Sequence, residues 1–275
     1  MSISLPQLST IAIELTDGVA EIRLNRAERS NAMNEEMWQE LRMAFGWADA
    51  TPAVRVVILS GAGRNFCAGI DLAMLGGVAE AVAHRDGARS REALRRLILD
   101  LQDCLSSIER CRKPVLAAIQ GACIGGAIDL VSCCDMRYAA SGAQFSVREI
   151  DVGMTADVGT LQRLPRLVPD GIVRELAYTG RNVEAGEAQR IGLVNCVFET
   201  QEALLAGVRQ LAQGVAAKSP LAIRGTKEML NYGRDHSIAD GLNYIATWNA
   251  AMLMSADLNE SMLAMREKRL PKFAD

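Results

Sequence analysis

Apolar and polar side chains alternate with a period of two along Thr10-Ile-Ala-Ile-Glu-Leu15 and again along Val19-Ala-Glu-Ile-Arg-Leu24, as in strands with one buried face. Asp17-Gly18 lies between them, a pair that tolerates the positive φ of a tight hairpin turn. The period then lengthens. Met37, Leu41 and Ala44/Phe45 recur at helical spacing behind Asn34, which can cap a helix, and behind the acids Glu35 and Glu36, which suit a helix N-terminus. Val54-Arg-Val-Val-Ile-Leu59 and Lys113-Pro-Val-Leu-Ala-Ala-Ile119 are nearly all apolar, with a long helical region containing 91–110 between them. Such strands belong to a sheet covered on both faces, and the rhythm is β-α-β. From about residue 169 the periodicity is helical, over 172–178, 184–191, 202–217, 220–232 and 238–265. The pattern predicts an α/β fold with a helical appendage.

Composition narrows the function. A chain of 275 residues, 49% of them hydrophobic, can bury one large core with an appendage. Its net charge of −3 supplies no broad field for nucleic acid or an anionic membrane, so neither is expected as a partner. No segment approaches the length of uninterrupted apolar residues that spans a bilayer. Met1 to Leu15 carries no basic cluster before an apolar run, and Lys272-Phe-Ala-Asp275 lacks a Ser-Lys-Leu address, from which we expect a cytoplasmic protein. The seven cysteines are an odd set without a C-x-x-C pair, which suits buried thiols in a reducing compartment. With only His84 and His236 available, no metal site is expected.

The chemistry concentrates in the middle of the chain. Asp129 follows the turn Gly121-Ala-Cys-Ile-Gly125-Gly126 and stands alone in Ala127-Ile-Asp-Leu-Val131. An ionisable group there is costly unless it is used or paired. Glu149 and Asp157 follow, twenty and then eight residues on, again among small and apolar side chains. Carboxyls gathered in a dry cleft keep at least one of their number protonated near neutral pH. Both glycine turns follow strands, and in α/β sheets ligands gather at the carboxyl ends of strands. A nucleotide site is excluded, because Gly61-Ala-Gly63 lacks a third glycine at the required place and no Gly-Lys-Ser/Thr occurs.

Phe66-Cys-Ala-Gly-Ile-Asp-Leu72 after Gly61-Ala-Gly63, with Gly121-Ala-Cys-Ile-Gly-Gly126 before a helix, resembles the two oxyanion-hole segments of the crotonase (enoyl-CoA hydratase/isomerase) superfamily. Lys113-Pro-Val-Leu-Ala-Ala-Ile-Gln-Gly121 and Cys134-Asp-Met-Arg137 belong to the same signature. The resemblance implies a crotonase-like ββα spiral core over 1–205 and a C-terminal helical trimerisation region over 206–275. It further implies a homotrimer or homohexamer and an acyl-CoA thioester substrate, whose coenzyme A is part of the substrate, with no separate cofactor. The amides of Ile70 and Gly126 would hold the thioester oxygen, and Ala68, Gly69, Asp71 and Leu72 would lie against the substrate.

Glycines at 69 and 125 permit close backbone approach, and a negative enolate oxygen gains most from such donors, about 2.7–4 kcal/mol for one of them in other enzymes. Asp129, three residues past Gly126, is expected on the same helix face and directed at the same pocket. Hydratases of the superfamily carry two acids matching Asp129 and Glu149. The additional Asp157, together with Arg234-Asp-His-Ser and Leu242-Asn-Tyr-Ile-Ala-Thr-Trp-Asn249, resembles the members that isomerise 3,5-dienoyl-CoA to 2,4-dienoyl-CoA in fatty-acid β-oxidation. On that resemblance Asp157 takes the C2 proton while Glu149, kept protonated by burial and by Asp129, donates at C6. Three bland readings stand beside these. Asp157 could cap a helix, Glu149 could pair with Arg137 or near Arg148, and Asp71 could serve a turn or cap. A 2-enoyl-CoA hydratase using Asp129 and Glu149 is the alternative enzyme, and a silent acyl-CoA-binding protein the non-enzyme one.

Overall fold

The computed structural model describes residues 4–275. The expected hairpin opens the chain. β1 (Ile11–Thr16) and β2 (Val19–Leu24) run antiparallel, Thr16 opposite Val19, and Asp17 and Gly18 take φ of 49° and 80° at the turn. In α1 (Glu35–Ala50) the Asn34 side chain accepts from Met37 N at 3.1 Å, as the cap reading required. There follow β3 (Val56–Gly61), α2 (Leu72–Ala81), α3 (Gly87–Arg110), β4 (Val115–Ile119), β5 (Ala122–Ile124) and α4 (Gly126–Ser132). Next come β6 (Met136–Ala140), β7 (Gln144–Ser146), α5 (Thr160–Arg163), α6 (Asp170–Thr179), β8 (Val183–Glu184), α7 (Ala185–Arg190) and β9 (Cys196–Phe198). The chain closes with α8 (Gln201–Ala216), α9 (Pro220–Tyr232), α10 (Ile238–Met252) and α11 (Ala256–Glu267).

The main sheet has the order β1-β2-β3-β4-β6-β9, parallel except for the hairpin. Every residue of β3 and β4 is buried, because both faces are covered. On one face Ile22, Val57, Leu59, Ala117 and Ile119 meet α1 and α3 through Leu41, Phe45, Leu105 and Ile108. On the other, Val56, Ile58, Leu116 and Ala118 meet Leu204, Val208 and Ala212 of α8. Successive side chains of a strand point to opposite faces, which is why one apolar run serves two cores. α8 crosses residues 205 and 206, and its buried face lies on the sheet.

Two features depart from the sequence pattern. A second sheet, β5-β7-β8, stands beside the first. Its strands are two or three residues long, too short for a period to register. The single helix expected over 238–265 is broken into α10 and α11, because the Ser255 hydroxyl accepts from Leu258 N at 3.2 Å and starts a new helix.

α8 seats on the sheet through a glycine. A Cβ at Gly207 would lie 2.3 Å from the Phe198 ring, whereas one at Gly214 would meet nothing within 4 Å. Gly207→Ala is therefore expected to destabilise the protein by about 1–3 kcal/mol through overpacking, while Gly214→Ala is neutral or gains about 0.5–1 kcal/mol. Denaturant melts of the two variants check the contrast; equal effects would contradict this packing.

Candidate active site

Two segments cross to build the site. Cys67 and Cys123 form a parallel bridge, in which Cys67 N donates to Ala122 O at 2.9 Å and Ile124 N donates to Cys67 O at 3.1 Å. Asn31 secures the first segment by donating to the carbonyls of Ala62, Asn65 and Phe66. Met33 then brackets Ile70, donating to Gly69 O at 2.8 Å and accepting from Asp71 N at 3.0 Å. At the crossing a Cβ on Gly69, whose φ is +93°, would lie 2.6 Å from Ile124 O and 3.2 Å from Gly126 N. A Cβ on Gly126 would lie 3.6 Å from Ile70 N. The amides of Ile70 and Gly126 are thus neighbours, and among the described residues neither has an acceptor. Gly126 N also belongs to the first turn of α4, where main-chain donors lack intrahelical partners.

Around this pair the other residues singled out in the sequence fall as follows. Ala68 N donates to Ser30 O at 2.9 Å. Asp71 caps α2, accepting from Ala73 N at 3.0 Å and from Arg26 at 3.0 Å. Leu72 is 72% exposed at the start of α2.

The three acids share one environment. Asp129, on α4, has no exposed surface; its Oδ1 accepts from Thr160 N at 2.5 Å and its Oδ2 has no partner among the described residues. Burial first, and then the charge of Glu149, push its pKa up to about 7 against the Thr160 hydrogen bond. Glu149 begins a single turn of 3-10 helix, Glu149–Val152. Its Oε1 lies 3.5 Å from where a Cβ of Gly125 would be, beside the free amides, and its Oε2 is buried without a partner among the described residues. Burial, then the charge of Asp157, raises its pKa. Burial raises Asp157 as well. Glu149 and Asp157 are partly accessible; Asp129 is not. The helix face places Asp129 toward the other acids, but behind the surface they share.

The structural alternatives fall away. The cap of α5 is Gly159, with no side-chain cap, so Asp157 is free of that duty. Arg137 spends its guanidinium on the carbonyls of Leu193 and Cys134, and Arg148 pairs with Asp151 and Asn182, leaving Glu149 without a cation. Sequence reasoning missed Asn31, Met33, Thr160 and Gln102. The first three act through the main chain or on it, and Gln102 Nε2 donates to Asp157 O at 2.6 Å from α3; no local pattern marks such contacts. A cavity of about 600 Å³ is lined by Gln102, Ser106, Val158, Gly159, Arg163 and Arg234, and none of the three acids lines it. Six of the cysteines are buried, and burial pushes the Cys67 and Cys133 thiols up to about 12, beyond ordinary reactivity.

A pair of free amides at a glycine crossing, with the Glu149 carboxyl alongside, is equipped to stabilise an enolate and to move a proton about it. The family described as Enoyl-CoA hydratase/isomerase matches residues 14–275, and the chain belongs to it. Among curated relatives, the peroxisomal Delta(3,5)-Delta(2,4)-dienoyl-CoA isomerase of Arabidopsis thaliana is 45% identical over 97% of this chain and 96% of its own. The mitochondrial Delta(3,5)-Delta(2,4)-dienoyl-CoA isomerase of Homo sapiens is 45% identical over 91% of this chain and 77% of its own. The crystal structure of enoyl-CoA hydratase from Bacillus anthracis superposes with a TM-score of 0.87 at 31% identity, covering 97% of this chain and 99% of that one. The expectation of a cytoplasmic protein is corrected by these relatives, which are named peroxisomal and mitochondrial. An organelle address is read by a receptor and leaves no mark on composition or on the folded domain.

Two outcomes follow from the site's geometry. Gly69→Ala adds a methyl against Ile124 O in a backbone region that L side chains avoid, and disturbs both donors. A loss in kcat of about 10²–10³-fold is expected, the scale for one oxyanion donor; wild-type steady-state rates would contradict it. Asp129 gives a pH signature. Its folded pKa, about 7, exceeds the ordinary value of 3.8, so the folded state holds the extra proton and stability falls as pH rises through that window. Asp129→Asn keeps an acceptor for Thr160 N and has no proton to lose. Its melting temperature should exceed that of the wild type by several degrees at pH 8 and match it near pH 4; a gain independent of pH would contradict the burial account.

Proposed function

We infer that the protein is a Δ3,5-Δ2,4-dienoyl-CoA isomerase of fatty-acid β-oxidation, acting on an acyl-CoA thioester. The activity rests on relatives of that name at 45% identity along nearly the whole chain. The observation that carries the mechanism is the partly accessible Glu149 beside two free amides, with a second partly accessible acid, Asp157, close enough for its charge to act on Glu149. The 3,5-diene becomes the 2,4-diene by losing a proton at C2 and gaining one at C6, four bonds away along the chain, so one carboxyl group serves each end.

In the proposed cycle the thioester oxygen accepts from Ile70 N and Gly126 N. Asp157, as carboxylate, removes a proton from C2; the electron pair moves through the diene, and the enolate charge gathers on the held oxygen. Glu149, whose neutral form burial and the charge of Asp157 favour, donates as the acid to C6 as the enolate collapses. Asp129 stands behind the surface and, when charged, favours the protonated form of its neighbour. All the steps use side chains and amides of the chain, and coenzyme A enters as part of the substrate. A hydratase would need Asp129 and Glu149 to hold a water between them, and Asp129, with no exposed surface and one oxygen committed to Thr160 N, does not support that reading.

The assembly belongs to the same proposal. α10 buries none of its residues and exposes Ile238 by 84% and Leu242 by 64%, surface that a homotrimer or homohexamer would cover.

With 3,5-dienoyl-CoA, Asp157→Asn should lose at least about 10²-fold in kcat, as expected when a positioned acid-base group is removed, while still binding acyl-CoA. Deuterium exchange from solvent into C2 should be lost with it. Near-normal turnover would refute the role of Asp157. Exchange at C2 that survives in this variant but disappears in Glu149→Gln would reverse the two ends.

A further inference from the structure

The backbone that carries Asp157 makes few hydrogen bonds. Met154 N donates to Glu149 O at 3.0 Å, and among the described residues the next main-chain donor bonded to another residue is Thr160 N, on Asp129 Oδ1. Between Met154 and Val158, among the described residues, one carbonyl alone accepts a hydrogen bond. It is Asp157 O, and the donor is Gln102 Nε2 at 2.6 Å.

We propose that Gln102 is a positioning residue for the isomerisation, fixing through the Asp157 carbonyl the direction in which the Asp157 carboxyl faces the substrate. The proposal rests on the role given to Asp157 above. Gln102 suits the task because its own base is rigid: Leu101, Cys104 and Leu105 of α3 are buried in the main core on either side of it. The loop it holds is anchored on either side of Asp157 by Ala156 and by Val158, which reaches the main core, but among the described residues its main chain is bonded there by Gln102 alone. Val158 and Gly159 line the cavity of about 600 Å³ together with Gln102, so open space adjoins the loop on the side from which Gln102 holds it. Gly159 turns the chain at φ +135°, a conformation that L side chains rarely adopt. The two ends of the segment are thus pinned by side chains, Gln102 from α3 and Asp129 from α4, and the bond from Gln102 falls on the residue that carries the reacting group.

The test replaces Gln102 with leucine, which keeps the bulk and removes the donor, and with glutamate, which keeps the shape and at pH 8 presents no proton. Steady-state rates on 3,5-dienoyl-CoA, thermal melts and solvent deuterium exchange into substrate are compared with those of Asp157→Asn. A displacement of about 1 Å at a reacting group is worth up to about 10²-fold. Both variants should therefore lose about tenfold to a hundredfold in kcat, with KM within about threefold of wild type and an unchanged melting temperature. Exchange should fall at the substrate carbon silenced by Asp157→Asn, and not at the other. Wild-type kcat in either folded variant, a loss carried by KM, or an equal fall of exchange at both carbons overturns the positioning role. If Asp157→Asn itself turns over normally, the reading of Asp157 fails first; if it is inactive while the Gln102 variants are normal, only the present inference fails.

Discussion

The structure depends on one crossing of main chain. The bridge between Cys67 and Cys123 draws two glycine turns so close that a methyl group does not fit at position 69, and it leaves Ile70 N and Gly126 N side by side without acceptors. An unpaired amide in a protected site is expensive, and two that converge are a reservoir of binding free energy for an oxygen that becomes negative. Only glycine permits this approach, and the bridge together with the Asn31 side chain holds the turns in place.

The acids answer the problem this site creates. An enolate beside three carboxylates would be repelled, and an enolate beside three carboxylic acids would find no base. Burial resolves it by degree. Asp129, wholly enclosed, is pushed furthest, to about 7, while Glu149 and Asp157, partly accessible, are raised by burial but keep surface for a ligand. Asp129 is raised further by the charges of Glu149 and Asp157, and Glu149 by that of Asp157, so the proton affinities of the three acids are linked.

Much of this was legible in the chain. The hairpin, the cap at Asn34, the two all-apolar strands and the glycine turns are local patterns, and each was found where periodicity put it. The trio of acids stood out because charge is rare in apolar surroundings. What the sequence concealed is of a different kind. The strands of the second sheet are too short to show a period, and the break at Ser255 is a serine inside an otherwise helical run. Thr160 holds Asp129 with its main-chain N–H, which every residue but proline possesses, and Gln102 reaches Asp157 across 55 residues. The depth of Asp129 behind the pocket surface is likewise a tertiary fact, since its spacing from Gly126 fixes a helix face but not what covers it.

The central claim is that a thioester oxygen sits between two amides while separate acids reach the two ends of a conjugated tail. A crystal structure of the protein with an unreactive dienoyl-CoA analogue tests it most directly. The account predicts the thioester oxygen within hydrogen-bond reach of both Ile70 N and Gly126 N, about 2.7–3.2 Å, with the Glu149 and Asp157 carboxyls at opposite ends of the diene. A thioester oxygen bound away from those amides, or both carboxyls gathered at one carbon, would contradict it.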